Sequence, residues 1–495
     1  MPSEPHDQQD SHDESPRGVD TSHDSWYSAS MPAEPTTAAE LCALSALKMA
    51  DLVRRREVSP VELIQAQLDR IEAVEPQINA FQLVRSEAAL REASKLADRR
   101  QLADLPLAGV PVAIKDNVAV AGEPTRLGSA ATSQAPADAD DRLVARLRAA
   151  GCVVIGKTQL PELAIWPFTE SVAFGATHNP WDLRRTPGGS TGGGAAAVVA
   201  GMAALALGSD GGGSIRIPAA CCGAFGFKPG RGLVPVAGGL TEHWLGLTEF
   251  GPIARTVADA AMMLDVLTGR TIYRDPHPPE QPIRIAFSDR HPLPGAKAGP
   301  RVKIELDDVA AMLRNSGHSL VKESPPYPLT LGLRFNARWL SGIAQDAADL
   351  DVDALELRTR QMVKLGRFFS SRTRSASADR FGQRMARWFT NYDALITPTL
   401  TGGADRIGAW DGVGWAKTML GVANQIYTPP WNMSGLPAAS VPFGHDDDGL
   451  PIGIQLVGPA GSEARLLSLA AQIEELRPWP TLAQGPTLAQ GPTLP

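Results

Sequence analysis

The chain lacks the features that would direct it to a membrane, a nucleic acid or an oxidising compartment. No run of about 18 apolar residues occurs, so no segment is expected to span a bilayer. The most apolar stretch, Ala195 to Leu207, is too short and is flanked by glycines. Lys and Arg, 47 together, do not outnumber the 54 Asp and Glu, and a net charge of -7 offers no basic footprint for DNA, RNA or anionic lipid. Cysteine is scarce. Cys42, Cys152, Cys221 and Cys222 show neither zinc spacing nor a disulfide framework, and they read as reduced thiols. Vicinal Cys221 and Cys222 fit small buried packing residues better than a redox pair. The N-terminus has no basic start and no apolar core of a secretory signal, which makes the cytoplasm the expected location.

What is present is an ordinary globular composition, 43% hydrophobic and 20% charged with a mean hydropathy of -0.11. Residues 1–36 are rich in Asp, Ser, Pro, Glu and His and have few apolar anchors, so a disordered tail is expected. His6, His12 and His23 then belong to a solvated segment rather than to a metal site. Residues 479–495 contain the tandem repeat PTLAQGPTLAQGPTLP, too short for a solenoid, and read as a flexible appendage. Residues 37–478 between them read as one continuous domain.

Within that domain Ser59-Pro60-Val61-Glu62 combines a capping box with proline at the first helical position. Val61, Ile64, Leu68 and Ile71 follow at helical spacing. Arg142 to Ala150 predicts a second helix stopped by Gly151, with a buried strand over Cys152 to Ile155. Ile283 to Phe287 reads as a strand, Arg301 to Asn315 as a helix ending near Gly317, and Ser319 to Val321 as another strand. Helices alternating with short apolar strands predict an α/β sandwich around a mostly buried sheet. Residues 270–390 carry no chemical motif and are expected to shape a substrate entrance.

Three segments carry chemistry. In PLAGVPVAIKDN, residues 106–117, Lys115 follows a strand-like apolar run. Burial there would lower its pKa towards neutrality and make a usable base, although a lone lysine at a strand end more often snorkels to the surface. TPGGSTGGG (186–194) and GSDGGGSIRIP (208–218) are glycine-rich turns, each with a serine, separated by one helix and one strand. They can bring two hydroxyls together and leave successive N–H groups free to face a tetrahedral oxyanion. Neither matches a phosphate-binding fingerprint, and no cofactor or metal ligand set is expected. Flexible turns remain the plain alternative for either loop alone.

Together these residues resemble the amidase-signature family. The match runs from about Ala39 to Glu475, through LAGVPVAIKDN, TPGGSTGG and GSDGGGSIRIPAACCGAFGFKP in order, with Ser190 and Ser214 24 positions apart. NPW at 179–181, GPIARTVADAA at 251–261 and NMSGLPAASVPFG at 432–444 agree more weakly. The resemblance implies an α/β/α sandwich around a large, twisted mixed β-sheet and hydrolysis of a carboxylic amide C–N bond. It implies Ser214 as the nucleophile forming an acyl-enzyme, Ser190, joined to Gly189 by a cis peptide, as proton relay, and Lys115 as base. It further implies an oxyanion hole from the N–H groups of Gly211, Gly212, Gly213 and Ser214, with backbone near Ala164 facing substrate.

The residues bear the same reading. Serine needs an adjacent base, neither loop contains histidine, and His178 lies outside them, so a Ser-Lys pair is the alternative. Asp210 and Arg216 are expected to hold the second loop by hydrogen bonds. The sequence departs from the family pattern at Thr191, Gly194 and Gly212, none of which removes a catalytic atom. Trp166, Phe168 and Trp244 belong either near a pocket for an apolar group or to the core. The expected partner is a small-molecule amide, with no nucleic acid and no membrane span, and a homodimer is allowed. Competing functions are the glutaminase subunit of a tRNA-dependent amidotransferase and a catalytically silent binding protein of the same fold. The former usually has KPTYGR where this chain has KPGRGL at 228–233. Acyl transfer to an amine would use the same acyl-enzyme.

Overall fold

The computed structural model describes residues 37–376 and 380–483. The expected N-terminal tail with its three histidines, and residues 484–495 of the repeat, lie outside the described residues.

Local signals start and stop the elements as the sequence predicts. Ser59 Oγ accepts from the Glu62 N–H at 3.1 Å, and Glu62 Oε2 accepts from the Ser59 N–H at 2.8 Å. That box opens the Pro60–Ile78 helix, which buries Ile64, Leu68 and Ile71. The Arg142–Ala149 helix is followed by Gly151 at φ +100°, a turn that delivers the chain into a buried strand.

In chain order the strands are β1 (Phe81–Val84), β2 (Pro111–Lys115), β3 (Val153–Thr158), β4 (Glu170–Ser171) and β5 (Gly175–Ala176). Then come β6 (Leu205–Asp210), β7 (Phe225–Lys228), β8 (Glu249–Ala254), β9 (Arg284–Phe287) and β10 (Ser319–Lys322). The last are β11 (Ala394–Pro398), β12 (Ala438–His445) and β13 (Pro451–Val457). β4 and β5 pair only with each other; the other eleven form one sheet in the order β1-β3-β2-β6-β8-β7-β12-β13-β11-β9-β10. The sheet is mixed. β3–β2–β6 and β11–β9–β10 run parallel, and the remaining pairs are antiparallel.

Every position of β2, β3, β6, β7, β8, β11 and β13 is buried, whereas edge strands β1 and β10 stay partly open. Strands buried on both faces need helices on both sides, which is the expected sandwich. A second apolar cluster, rich in tryptophan, joins Ala286, Leu395, Ala438 and Val457 of the sheet to the Leu331–Asp346 and Leu357–Ser370 helices.

Residues 479–483, expected to open a flexible tail, are instead held against the fold. Trp479 Nε1 donates to the Arg255 carbonyl at 3.0 Å, and the Ala483 N–H donates to the Val199 carbonyl at 2.9 Å. The indole supplies an anchor that the repeat itself lacks, so the chain stays docked through Ala483. At the centre of the sheet, parallel pairing sets Ile114 of β2 beside Leu207 of β6. Lys115 and the Gly208–Asp210 end of β6 therefore lie side by side at the same end of the two strands.

Candidate active site

Lys115 ends a strand buried at every residue and is itself fully buried. Its Nζ lies 2.8 Å from Ser190 Oγ and 2.9 Å from Ser209 Oγ. Asn117 Nδ2 donates to Ser209 Oγ at 3.0 Å and so fixes that hydroxyl from the other side. Burial pulls the Lys115 pKa from 10.5 down to about 7, against the opposing pull of the Asp210 charge. Asp116, next in the chain, is turned away and pairs with Lys157 at 2.7 Å.

Ser190 precedes the Gly192–Val199 helix, and the Gly189–Ser190 peptide is cis. The Thr191 N–H donates to the Ser214 carbonyl at 3.1 Å, which joins the two serine loops by their backbones.

The loop after β6 is tied down by one fully buried carboxylate. Asp210 accepts from the Gly213 N–H at 2.7 Å, from Arg216 Nε at 2.9 Å and from Asn432 Nδ2 at 2.8 Å. Arg216, also fully buried, continues to Gln455 Oε1 and Asn432 Oδ1, both at 2.7 Å. Burial alone would raise the Asp210 pKa, but the charge and hydrogen bonds of Arg216, with Lys228 and Asn432, hold it well below the usual carboxylate range. Gly213 sits at φ +136°, and a Cβ there would run into Thr428 and Ile217.

Ser214 opens onto a cavity of about 510 Å³. Trp166, Trp244, Phe335, Trp339 and Trp415 line it, and among its described lining residues no side chain is charged. Asn336 is the one amide side chain on that wall. Phe335 stacks on Trp339 at 6.3 Å, and Trp339 meets Trp166 edge-on at 6.1 Å. Such contacts give the wall a fixed shape.

The Amidase family model matches residues 62–467, the span that contains all of these groups. The chain belongs to the Amidase family. It is 46% identical over 433 residues to the Mycobacterium tuberculosis protein named Putative amidase AmiB2, covering 84% of this chain and 92% of that one. Its fold matches 6-aminohexanoate cyclic dimer hydrolase solved with substrate, with a TM-score of 0.82 and 32% identity over 91% of this chain and 100% of that chain. A bacterial aryl acylamidase of the amidase-signature family matches with a TM-score of 0.74 and 25% identity, over 88% of this chain and 96% of the other. Family membership makes the protein a hydrolase acting on amides.

Against the amidase-signature expectation, Lys115 and Ser190 meet directly, while Ser214 and Gly212 reach the cavity surface. Gly211 packs beneath Trp244, 2.6 Å from its ring measured from a Cβ built there. The Gly213 N–H is already given to Asp210, so it does not stand ready for an oxyanion. Ala164 is buried and does not line the cavity, whereas its neighbours Ile165, Trp166 and Pro167 do. Phe168 stands behind Trp166, stacked at 5.6 Å and 14°, and belongs to the core. His178 Nδ1 is engaged by the Leu183 carbonyl at 2.6 Å. All four cysteines are buried and free, and burial pushes the Cys221 and Cys222 thiols well up, which suits packing rather than redox work. Among the described residues no cluster of His, Cys, Asp or Glu could hold a metal, and no helix is long and apolar enough to cross a membrane.

Sequence reasoning missed Ser209, Asn117, Asn432 and the cavity wall of Phe335, Trp339 and Trp415. Ser209 and Asn117 lay inside the quoted motifs and could have been singled out as polar neighbours of a buried amine. The wall residues carry no such mark.

Proposed function

We propose that the protein hydrolyses an uncharged carboxylic amide through a Ser214 acyl-enzyme, with Ser190 and Lys115 relaying protons. One observation carries the reading. A buried lysine that forms no ion pair among the described residues lies 2.8 Å from Ser190 Oγ, and burial brings its pKa down to about 7 against the pull of Asp210, so its neutral form is available at physiological pH.

Neutral Lys115 accepts the Ser190 proton as Ser190 takes that of Ser214. The Ser214 Oγ–carbon bond forms, and the carbonyl electron pair moves onto oxygen. The N–H groups of Gly211, Gly212 and Ser214 face that oxyanion; Gly213 serves by holding the loop. The C–N bond then breaks, and the proton returns from Lys115 through Ser190 to the leaving nitrogen. Water repeats the sequence on the acyl-enzyme, releasing the acid and restoring all three side chains.

The absence of charge on the cavity wall supports a neutral substrate. Glutamine would bring an ammonium and a carboxylate into an apolar space without partners, at a cost of several kcal/mol or more. The two structural relatives named for a cyclic dimer and for aryl acylamides point the same way. Buried thiols outside any disulfide suit a cytoplasmic setting, and residues 37–478 are read as the catalytic domain.

The test is amine and ammonia release from short aliphatic, aryl and long acyl amides plus glutamine, with Ser214→Ala as control. Turnover of neutral amides, reduced roughly 10⁴-fold or more in the variant, is expected. Activity that survives Ser214→Ala, or that is confined to glutamine, refutes the proposal.

A further inference from the structure

The cavity that begins at Ser214 does not end in a closed wall. Leu329, Leu333 and Leu420 line it, yet their exposures are 87%, 70% and 61%. They come from separate segments: Leu329 just before the Leu331–Asp346 helix, Leu333 in its first turn, and Leu420 in the Trp415–Ala423 helix. Large apolar side chains held in water are unfavourable unless something covers them part of the time. Here they line the same cavity as tryptophan, phenylalanine and methionine side chains, so apolar surface extends from the cavity that Ser214 opens onto out to solvent.

We infer that Leu329, Leu333 and Leu420 form a collar that receives the outer part of a long, flexible apolar chain carried by the amide substrate. This rests on the amidase reading above and narrows its substrate class to neutral amides with an extended hydrocarbon group. The interior, about 510 Å³, is within the range that encloses a drug-sized ligand. A chain longer than the cavity emerges between the two helices and covers the leucines. The occupant is the substrate itself, because the collar shares its surface with the reaction cavity. A hydrophobic chain bound there also completes a wall whose lone side-chain amide, Asn336, asks for no charged group.

Two series of neutral amides test this, one lengthened on the acyl side and one on the amine side, from two to twelve carbons and below their aggregation concentrations. In at least one series kcat/KM should rise between about twofold and fourfold per methylene, the range for partial to complete burial of each CH₂. In the triple variant Leu329→Ser, Leu333→Ser, Leu420→Ser the rise should flatten for the longest members. Labelling of Ser214 by a fluorophosphonate reports that the variant is folded. Hydrolysis of the shortest amides with no gain from length in either series overturns the collar and leaves the amidase reading standing. An unchanged length dependence in the labelled variant also overturns it. Loss of binding to phosphatidylcholine vesicles, with the length dependence intact, would make the leucines a membrane contact instead. No hydrolysis at any length overturns both readings.

Discussion

Replacing Lys115 by methionine should make the protein more stable at neutral pH while destroying its activity. Lys115 falls from 10.5 to about 7 on folding, which corresponds to about 5 kcal/mol against the charged form. The folded value lies below the unfolded one, so between pH 7 and 10.5 the unfolded chain binds the extra proton. Stability therefore rises with pH across that window and has lost this contribution below pH 7. Methionine fills a similar volume and has no proton to lose. It gives up the contacts at 2.8 Å to Ser190 and 2.9 Å to Ser209, worth about 1 kcal/mol each. The variant should then be about 2–3 kcal/mol more stable than the parent at pH 7 and about 2 kcal/mol less stable near pH 10.5. Urea unfolding followed by tryptophan fluorescence, compared between the two proteins at both pH values, removes every other titration from the difference. The parent's kcat/KM should fall about tenfold per pH unit below 7, as Lys115 is protonated. A stability difference that stays constant with pH, or a parent rate flat from pH 5.5 to 8.5, would refute the depressed lysine.

The remaining predictions touch the cavity and the C-terminal anchor. A Cβ on Gly212 would stand 2.9 Å from Phe335 Cζ, so Gly212→Ala should push that ring into the cavity and raise KM for bulky amides more than for small ones. Equal effects on both, measured by steady-state kinetics, would place Phe335 outside the substrate path. Trp479→Ala should cost about 1–2 kcal/mol in urea unfolding through the lost contact to Arg255, with kcat/KM unchanged.

Legibility in the sequence followed the range of the interaction. The capping box at Ser59, the stop at Gly151 and the buried run ending at Lys115 are local signals, and each appears where the spacing puts it. The pairing of β2 with β3 on one side and β6 on the other is not local, because nothing in Pro111–Lys115 specifies which distant strands lie beside it. The serine loops were visible because their glycines and hydroxyls are unusual together. Phe335, Trp339 and Trp415 were not, since an apolar residue facing a cavity has the same composition signature as one facing the core. Phe168 shows the same ambiguity from the other side: pocket and core were both open to it in the sequence, and it stacks behind Trp166 in the core, while the stretch next to Ala164 supplies Ile165, Trp166 and Pro167 to the cavity.

Asp210 links the loop's shape to the base's proton. Its negative charge favours protonated Lys115 and so works against the burial that keeps the amine neutral. The same carboxylate holds the loop through the Gly213 N–H and so cannot simply be removed. Arg216, at 2.8 and 2.9 Å, offsets the field while keeping the carboxylate ionised. Asp210→Asn separates the two roles. The amide oxygen can still accept from Gly213, but the negative charge is gone and the positive Arg216 remains. Protonated Lys115 then becomes less favourable, and the acid limb of kcat/KM should move to lower pH. Stability should drop by about 3–5 kcal/mol, because Arg216 is left buried without its partner. The two shifts have opposite consequences at low pH, since the variant is weaker as a fold yet retains a larger fraction of its own plateau rate. An acid limb that moves upward contradicts the charge argument outright. One that does not move at all would mean that burial alone sets the lysine, and that Asp210 is only a tie for the loop.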